Sequence, residues 1–333
     1  MDPIDNAVFR DWPSGTTERW GVKSLKLLHR WHDDPLFSPT SLAALIERHP
    51  SSDYSLMSTG PRGTALTDPT ARRPGLDAAQ AKRGWREGSI GDLSGADVIA
   101  AIRQGGMWLN LRNVQDHDPA MRRLLESAHQ ELARRMPGFE PRALRMGILI
   151  SSPDARVHFH ADLPGQALWQ IAGRKRVYLY PPHAPFLPSE VLEHIALTAV
   201  EVGIPYDPAF DEHATVFDLA PGEMLHWPLN SPHRVDNLGV LNISVTTEYW
   251  TPAIRRSQMV TLANGLMRRH LGMRSPSRRL AGPSFWAKAA LQAGWRRSPW
   301  ARRERRLQRP IDFRLDPEHA DGFVTIDAGA PAR

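Results

Sequence analysis

The sequence predicts a mainly β protein, a β-sandwich or jelly-roll barrel in mid-chain with helical regions flanking it. Eight short runs of strand character fall between Arg145 and Trp250, turn residues separate them, and helix-type periodicity governs the chain on both sides. These observations place boundaries near residues 100 and 253. The expected division is a helical or irregular region over 1–100 that packs on the barrel, the barrel itself over 101–252, and a basic helical region and tail over 253–333. With 333 residues, 41% of them apolar, the chain can bury a core of the size this plan needs.

Each element has a local cause. "SPTSLAALIERHP" offers Ser38 or Thr40 as a cap ahead of an apolar run of helical period and closes at Pro50. Residues 51–91 are rich in Pro, Gly, Arg and Ser and read as a long connection, with short strand character around Tyr54 to Met57. "SGADVIAAIRQG" is a second capped helix, "MWLNLRNV" alternates as a strand does, and "PAMRRLLESAHQELARRMPG" is an amphipathic helix closed by Pro137 and Gly138. The strand runs follow: "RMGILISS", "RVHFHAD", "ALWQIAG", "KRVYLYPP", "ATVFDLAPG", "EMLHWPL", "HRVDN" and "LNISVTTEYW". Turns are expected at Pro153-Asp154, Pro164-Gly165, Pro221-Gly222 and Asn237 to Gly239. After Pro252 helical signals return in "AIRRSQMVTLANGLMRRHLG" and "PSFWAKAALQAGWRRSPWARRERRLQRP".

Composition narrows the chemistry. The absence of cysteine excludes disulfides, iron-sulfur clusters and thiolate zinc sites, so a metal would be held by His, Asp or Glu. No apolar run is long enough to cross a bilayer and the first thirty residues lack the pattern of a signal peptide, which makes the cytoplasm the expected address. The net charge of +6 is unevenly spread: residues 253–310 hold 15 Lys or Arg against the single acid Glu304. Such a block suggests an anionic partner, a membrane surface, RNA or the ribosome, with peripheral membrane attachment as one form of it.

The pattern "HFHAD" carries the metal question. Side chains at i and i+2 of a strand share a face with Cα atoms about 6.5–7 Å apart, whereas i and i+4 are about 13 Å apart. Two ligands of one ion can therefore be His158 with His160, or His160 with Asp162, but not all three. "PGEMLHWPLNSPHRVDN" supplies His226 and His233 as third ligands. Two histidines and a carboxylate on one side of an ion leave positions open for a bidentate cosubstrate and O₂ on Fe(II), while a His-rich set suits several divalent metals.

The stretches "HAD" at 160–162, "LWQIAGRKRVYLYPP" at 168–182, "PGEMLHWPLNSPHRV" at 221–235 and "NISVTTEYW" at 242–250 together resemble the JmjC and cupin-like branch of the Fe(II) and 2-oxoglutarate dependent oxygenases, especially bacterial relatives of the hypoxia-inducible-factor asparaginyl hydroxylase. The resemblance spans about residues 100–252 and implies a double-stranded β-helix core. It also implies His160, Asp162 and His233 as catalytic iron ligands, Fe(II), 2-oxoglutarate and O₂ as cofactor and cosubstrates, and hydroxylation, less so demethylation, with succinate and CO₂ as products. A buried carboxylate of 2-oxoglutarate needs a cation beside it, and Lys175 stands where the family has its anchoring lysine; Arg174 and Arg176 should face the other way.

Some positions depart from the asparaginyl hydroxylase. Val157 stands where that enzyme has Thr, Asn110 replaces a Tyr, and Gln166 and Glu248 stand where the family has Asn. The resemblance makes Gln166 and Asn110 cofactor-binding candidates and Arg112, His158 and Glu248 substrate candidates; His226, ahead of a Trp-Pro pair, is expected in the core or behind the ligands. The substrate class is a protein side chain or a small molecule. A cupin-like metal-binding regulator without turnover is the alternative, and a homodimer through the C-terminal helices is a further expectation of the resemblance. Trp286, Trp295 and Trp300 lie among Arg296, Arg297, Arg302, Arg303, Arg305 and Arg306, where they would meet an anionic partner or pack on the barrel.

Overall fold

The computed structural model describes residues 7–58, 86–199, 201, 204–274, 276–301 and 311–326. Within them the strands run β1 (Leu25–Leu28), β2 (Tyr54–Ser58), β3 (Arg86–Ser89), β4 (Met107–Leu111), β5 (Arg142–Ser151), β6 (Arg156–His160), β7 (Gly165–Ala172), β8 (Lys175–Leu179), β9 (Thr215–Leu219), β10 (Glu223–His226), β11 (His233–Asn237), β12 (Asn242–Trp250), β13 (Ile311–Leu315) and β14 (Phe323–Thr325). All eight expected runs are strands, β5 to β12. They divide between a ten-stranded sheet, ordered β1-β10-β7-β12-β5-β4-β2-β3-β13-β14, and a four-stranded sheet, β6-β11-β8-β9. The architecture is a mixed α/β fold, two sheets with flanking helices. The strand expected around Tyr54 to Met57 is β2, and regions expected to be helical or irregular contribute further strands: β1 and β3 come from the first ninety residues, and β13, from the tail, runs parallel to β3. Much of the long connection, residues 59–85, lies outside the described residues.

The helices start where their caps direct. Helix α1 (Pro39–Arg48) follows Ser38, whose side chain accepts from the Ser41 N–H; α2 (Gly95–Gln104) follows Ser94, which accepts from Asp97; α3 (Pro119–Arg135) follows Asp118, which accepts from Ala120 and Met121. Asp118 also pairs with Arg48, tying α1 to α3. Helix α4 (Ser189–Thr198), between β8 and β9, was not expected, since "SEVLEHIALT" has no side-chain cap to announce it. Helices α5 (Pro252–Leu271) and α6 (Pro283–Arg297) follow β12.

Three apolar layers result. Leu42, Ile46, Val98, Ile102 and Leu125 from α1, α2 and α3 cover the outer face of the large sheet, where Ile148, Ile150 and Val245 meet them. Between the sheets lie Leu168, Val177, Leu179, Leu225 and Val235 with Leu149. Outside the small sheet, Phe159, Tyr180 and Phe186 pack under Leu192 and Ile195 of α4. Burial on this scale, at about 25 cal/mol per Å² of apolar surface, is what orders the two sheets face to face. Among the described residues no helix is long and apolar enough to cross a membrane.

Candidate metal centre

The site forms where β6 ends and β11 begins. His160 is the last residue of β6 and lies opposite His233, the first of β11, in the antiparallel ladder. From there the register slips: Val235 pairs with Val157, so three steps of β6 run against two of β11, a β-bulge. Strict alternation would put Val157 and Phe159 on one face. The bulge separates them, so that Val157 packs in the inter-sheet layer and Phe159 in the outer cluster.

His160, Asp162 and His233 converge, with one ligand atom from each within 4.8 Å of the others. The two imidazole rings are 4.1 Å apart at their centroids, and His233 Nε2 is 3.4 Å from Asp162 Oδ2. Each ring is oriented from behind: His160 Nδ1–H donates to the His158 carbonyl at 2.7 Å and His233 Nδ1–H to the Ser231 carbonyl at 3.1 Å. This fixes the tautomer that leaves both Nε2 lone pairs facing Asp162. Asp162 is held by its main chain, whose carbonyl accepts from Asn230 Nδ2 at 2.5 Å, and its Oδ2 is buried without a hydrogen-bond partner. Burial, with help from the neighbouring His160 ring, pushes the His233 pKa down to about 4, so the imidazole is neutral at pH 7. Two neutral Nε2 atoms and an orphaned carboxylate oxygen are the donor set of a facial-triad metal.

The inter-sheet face continues from the triad to Lys175. His233 pairs with Leu179 and Asn237 with Lys175, which places Lys175 four residues along β8 on the same face, about 13 Å further in. Its side chain is 3% exposed and has no ion pair or hydrogen bond among the described residues. Desolvation alone lowers its pKa to about 7. Arg176, by contrast, faces outward and pairs with Asp218 at 2.7 Å.

Gln166 and Glu248 lie opposite each other on β7 and β12. Glu248 is pushed up to about 7 by burial and by the charge of Asp162, with Arg145 opposing. Asn110, on the inward face of β4, keeps its Oδ1 buried and unpartnered, and Gly147 leaves the space beside it, since a Cβ there would come within 3.1 Å of that oxygen. His158 is half-buried and contributes its carbonyl to His160.

Arg112 is not brought to this site. It follows the end of β4, is exposed, and donates to the carbonyls of Ser52 and Tyr54. The chain turns away there through Asn113, which has φ 54°. His226 lies on the outer face of the large sheet, stacked 3.8 Å from Trp20 with its Nε2 3.0 Å from Tyr249 Oη. Glu201 was missed by sequence reasoning. It lies close to Asp162, and its pKa is raised well above the usual carboxylate range by burial and by the charges of Asp162 and Glu248. Its surroundings in the sequence, "TAVEVGIPY", carry no signal for this role.

Residues 110–254 match the cupin-like domain family, a segment that includes the triad and Lys175. Among solved structures the chain is similar to Escherichia coli YcfD, at 18% identity over 88% of this chain and 70% of that one, with a TM-score of 0.48. It is also similar to the ribosomal oxygenase YcfD of E. coli in complex with cobalt and 2-oxoglutarate, at 16% identity over 89% and 69%, with a TM-score of 0.45. A third similarity is to the DMSP lyase DddQ of Ruegeria pomeroyi, at 11% identity over 33% and 39%, with a TM-score of 0.22. No curated protein matches the sequence.

Proposed function

We propose that the protein is an Fe(II)- and 2-oxoglutarate-dependent oxygenase that hydroxylates a protein side chain, with a small molecule as the alternative substrate. The observation that carries this reading is the pairing of a His160–Asp162–His233 triad with a buried, uncompensated Lys175 on the same face. The triad would hold Fe(II), which supplies oxidative decarboxylation of 2-oxoglutarate to succinate and CO₂ coupled to insertion of one oxygen atom into a C–H bond. Lys175 would neutralise the far carboxylate of the cosubstrate, an ion pair that offsets the desolvation of both groups. Gln166 and Asn110 would orient the cosubstrate through hydrogen bonds, and Glu248 and His158 would line the substrate's approach.

The two sheets with Lys175 and the triad between them support a double-stranded β-helix over residues 101–252, with 1–100 packed on it and 253–333 as the helical region and tail. For the basic block 253–310 we propose an anionic partner. Its charge supports this, as do Trp286 and Trp300, 64% and 68% exposed; Trp295 packs inward, and Arg302, Arg303, Arg305 and Arg306 lie outside the described residues. A second copy on this face would oppose like charges, so light scattering that reads a dimer through α6 would reassign it.

The decisive test is anaerobic loading with Fe(II) and 2-oxoglutarate, followed by exposure to O₂ with cell extract. Succinate release and a protein or metabolite heavier by one oxygen atom are expected. A chain that binds the metal but neither binds 2-oxoglutarate nor forms succinate would be a cupin-like regulator.

A further inference from the structure

A cavity of about 370 Å³ lies outside the metal centre, where the ends of β5 and β12 meet α5 and α6. Its lining includes Arg145, Trp250, Arg255, Gln258, Gln292 and Arg296. Arg255 and Gln258 are one helical turn apart on α5, and Gln292 and Arg296 one turn apart on α6, so each pair presents to one side of its helix. The chain bends into the cavity at a bulge: Glu248 pairs with Arg145 but Trp250 with Arg142, and Ala143 takes up the extra residue at φ 50°.

Two features mark this cavity as built for a ligand. Gln258 and Gln292 are 9% and 4% exposed, and neither side-chain amide makes a hydrogen bond among the described residues. Both side chains line the cavity, so their amides are open to an occupant with acceptor oxygens. Arg145 and Arg255 lie beside them, with Arg296, which has a partner of its own, at the edge, and no carboxylate is among the described residues of the lining. Arg145 is shared with Glu248 across the strand pair, while Arg255 has no ion pair among the described residues.

We infer that this cavity binds a phosphorylated small molecule, its phosphoryl oxygens on the guanidiniums and amides and its flat or apolar body against Trp250. A phosphoryl group matches the lining better than a single carboxylate, because it presents more acceptor oxygens and up to two negative charges to the guanidinium forks. The site gives a specific use to part of the basic block. It sits at the end of β12 that also carries Glu248, so its occupant lies at the rim of the metal centre. The inference does not rest on the oxygenase reading, since binding here needs neither metal nor 2-oxoglutarate.

The test is calorimetry of the metal-free full chain with ADP, inorganic pyrophosphate, adenosine and a short single-stranded RNA. ADP and pyrophosphate are expected to bind and adenosine not. Arg255→Gln and Gln292→Leu should each weaken ADP roughly tenfold or more, the scale of one lost charge-assisted hydrogen bond, while Mn(II) binding and the unfolding midpoint stay those of the parent. Two further variants, Arg255→Lys and Gln292→Glu, keep the fold in play should the first pair unfold; the lysine should retain part of the affinity and the glutamate should remove it. Silence of both ADP and pyrophosphate, equal binding by adenosine, or unchanged affinity in properly folded variants overturns the proposal. RNA binding with ADP silent overturns it in favour of a nucleic-acid surface.

Discussion

Lys175→Met separates the cost of a buried amine from its use. In the ligand-free protein the amine titrates near 7 against an ordinary 10.5, so between those values the unfolded chain holds a proton that the folded chain lacks. Stability therefore rises with pH across that window, by up to about 1.4 kcal/mol per unit. At pH 7 the burial costs the folded state about 4 kcal/mol, at pH 9 about 2, and near pH 10.5 almost nothing. Methionine fills similar volume without the charge, so the variant should be more stable than the parent by about those amounts, read by urea unfolding at pH 7 and pH 9. Added 2-oxoglutarate with Mn(II) should stabilise the parent and leave the variant unchanged. A variant that is less stable than the parent at pH 7, or an advantage that does not shrink with pH, would refute the idea of an uncompensated amine; equal stabilisation of both by 2-oxoglutarate would refute its role as anchor.

Other perturbations test the rest of the frame. His233→Ala should weaken Mn(II) binding roughly 100-fold or more by calorimetry, with the fold retained, because it removes one of three donors. Phe159→Ala, emptying a 1% exposed position between Tyr180 and Tyr206, should cost about 3–5 kcal/mol in urea unfolding. Gly95→Ala should destabilise the α1–α2 contact, since a Cβ there would lie 2.0 Å from the Ala43 carbonyl oxygen; a variant as stable as the parent would mean the helices can separate freely. Asp211 accepts from Arg234 at 2.6 Å and from Tyr180 and Tyr206, and these bonds hold its pKa below the usual 3.8 against desolvation. Its contribution is full above pH 3.8 and lost as pH falls through the lower folded value, so Asp211→Asn should flatten the acid limb of the stability profile.

The local elements were legible because their causes are local. Ser38, Ser94 and Asp118 cap helices from within three residues, and alternation with punctuation at Pro153-Asp154, Pro164-Gly165, Pro221-Gly222 and Asn237 to Gly239 marks β5 to β12. Helix α4 escaped because it has no side-chain cap, and β13 and β14 because three- to five-residue strands at the end of a chain have no pattern of their own until β3 offers an edge.

The candidate site divides along the same line. The sequence determined its chemistry: nitrogen and oxygen ligands only, an HxD at 160–162, and a lysine two strands further on. It left His158 against Asp162 and His226 against His233 open to strand geometry, because a period of two says which residues share a face but not which face looks inward. Tertiary pairing decided both, placing His233 across from His160 and turning His226 outward onto Trp20. It alone brought Glu201 near Asp162, carried Arg112 away, and left Lys175 buried without a partner among the described residues. Those outcomes depend on register and packing between residues distant in the chain, which local propensity does not encode.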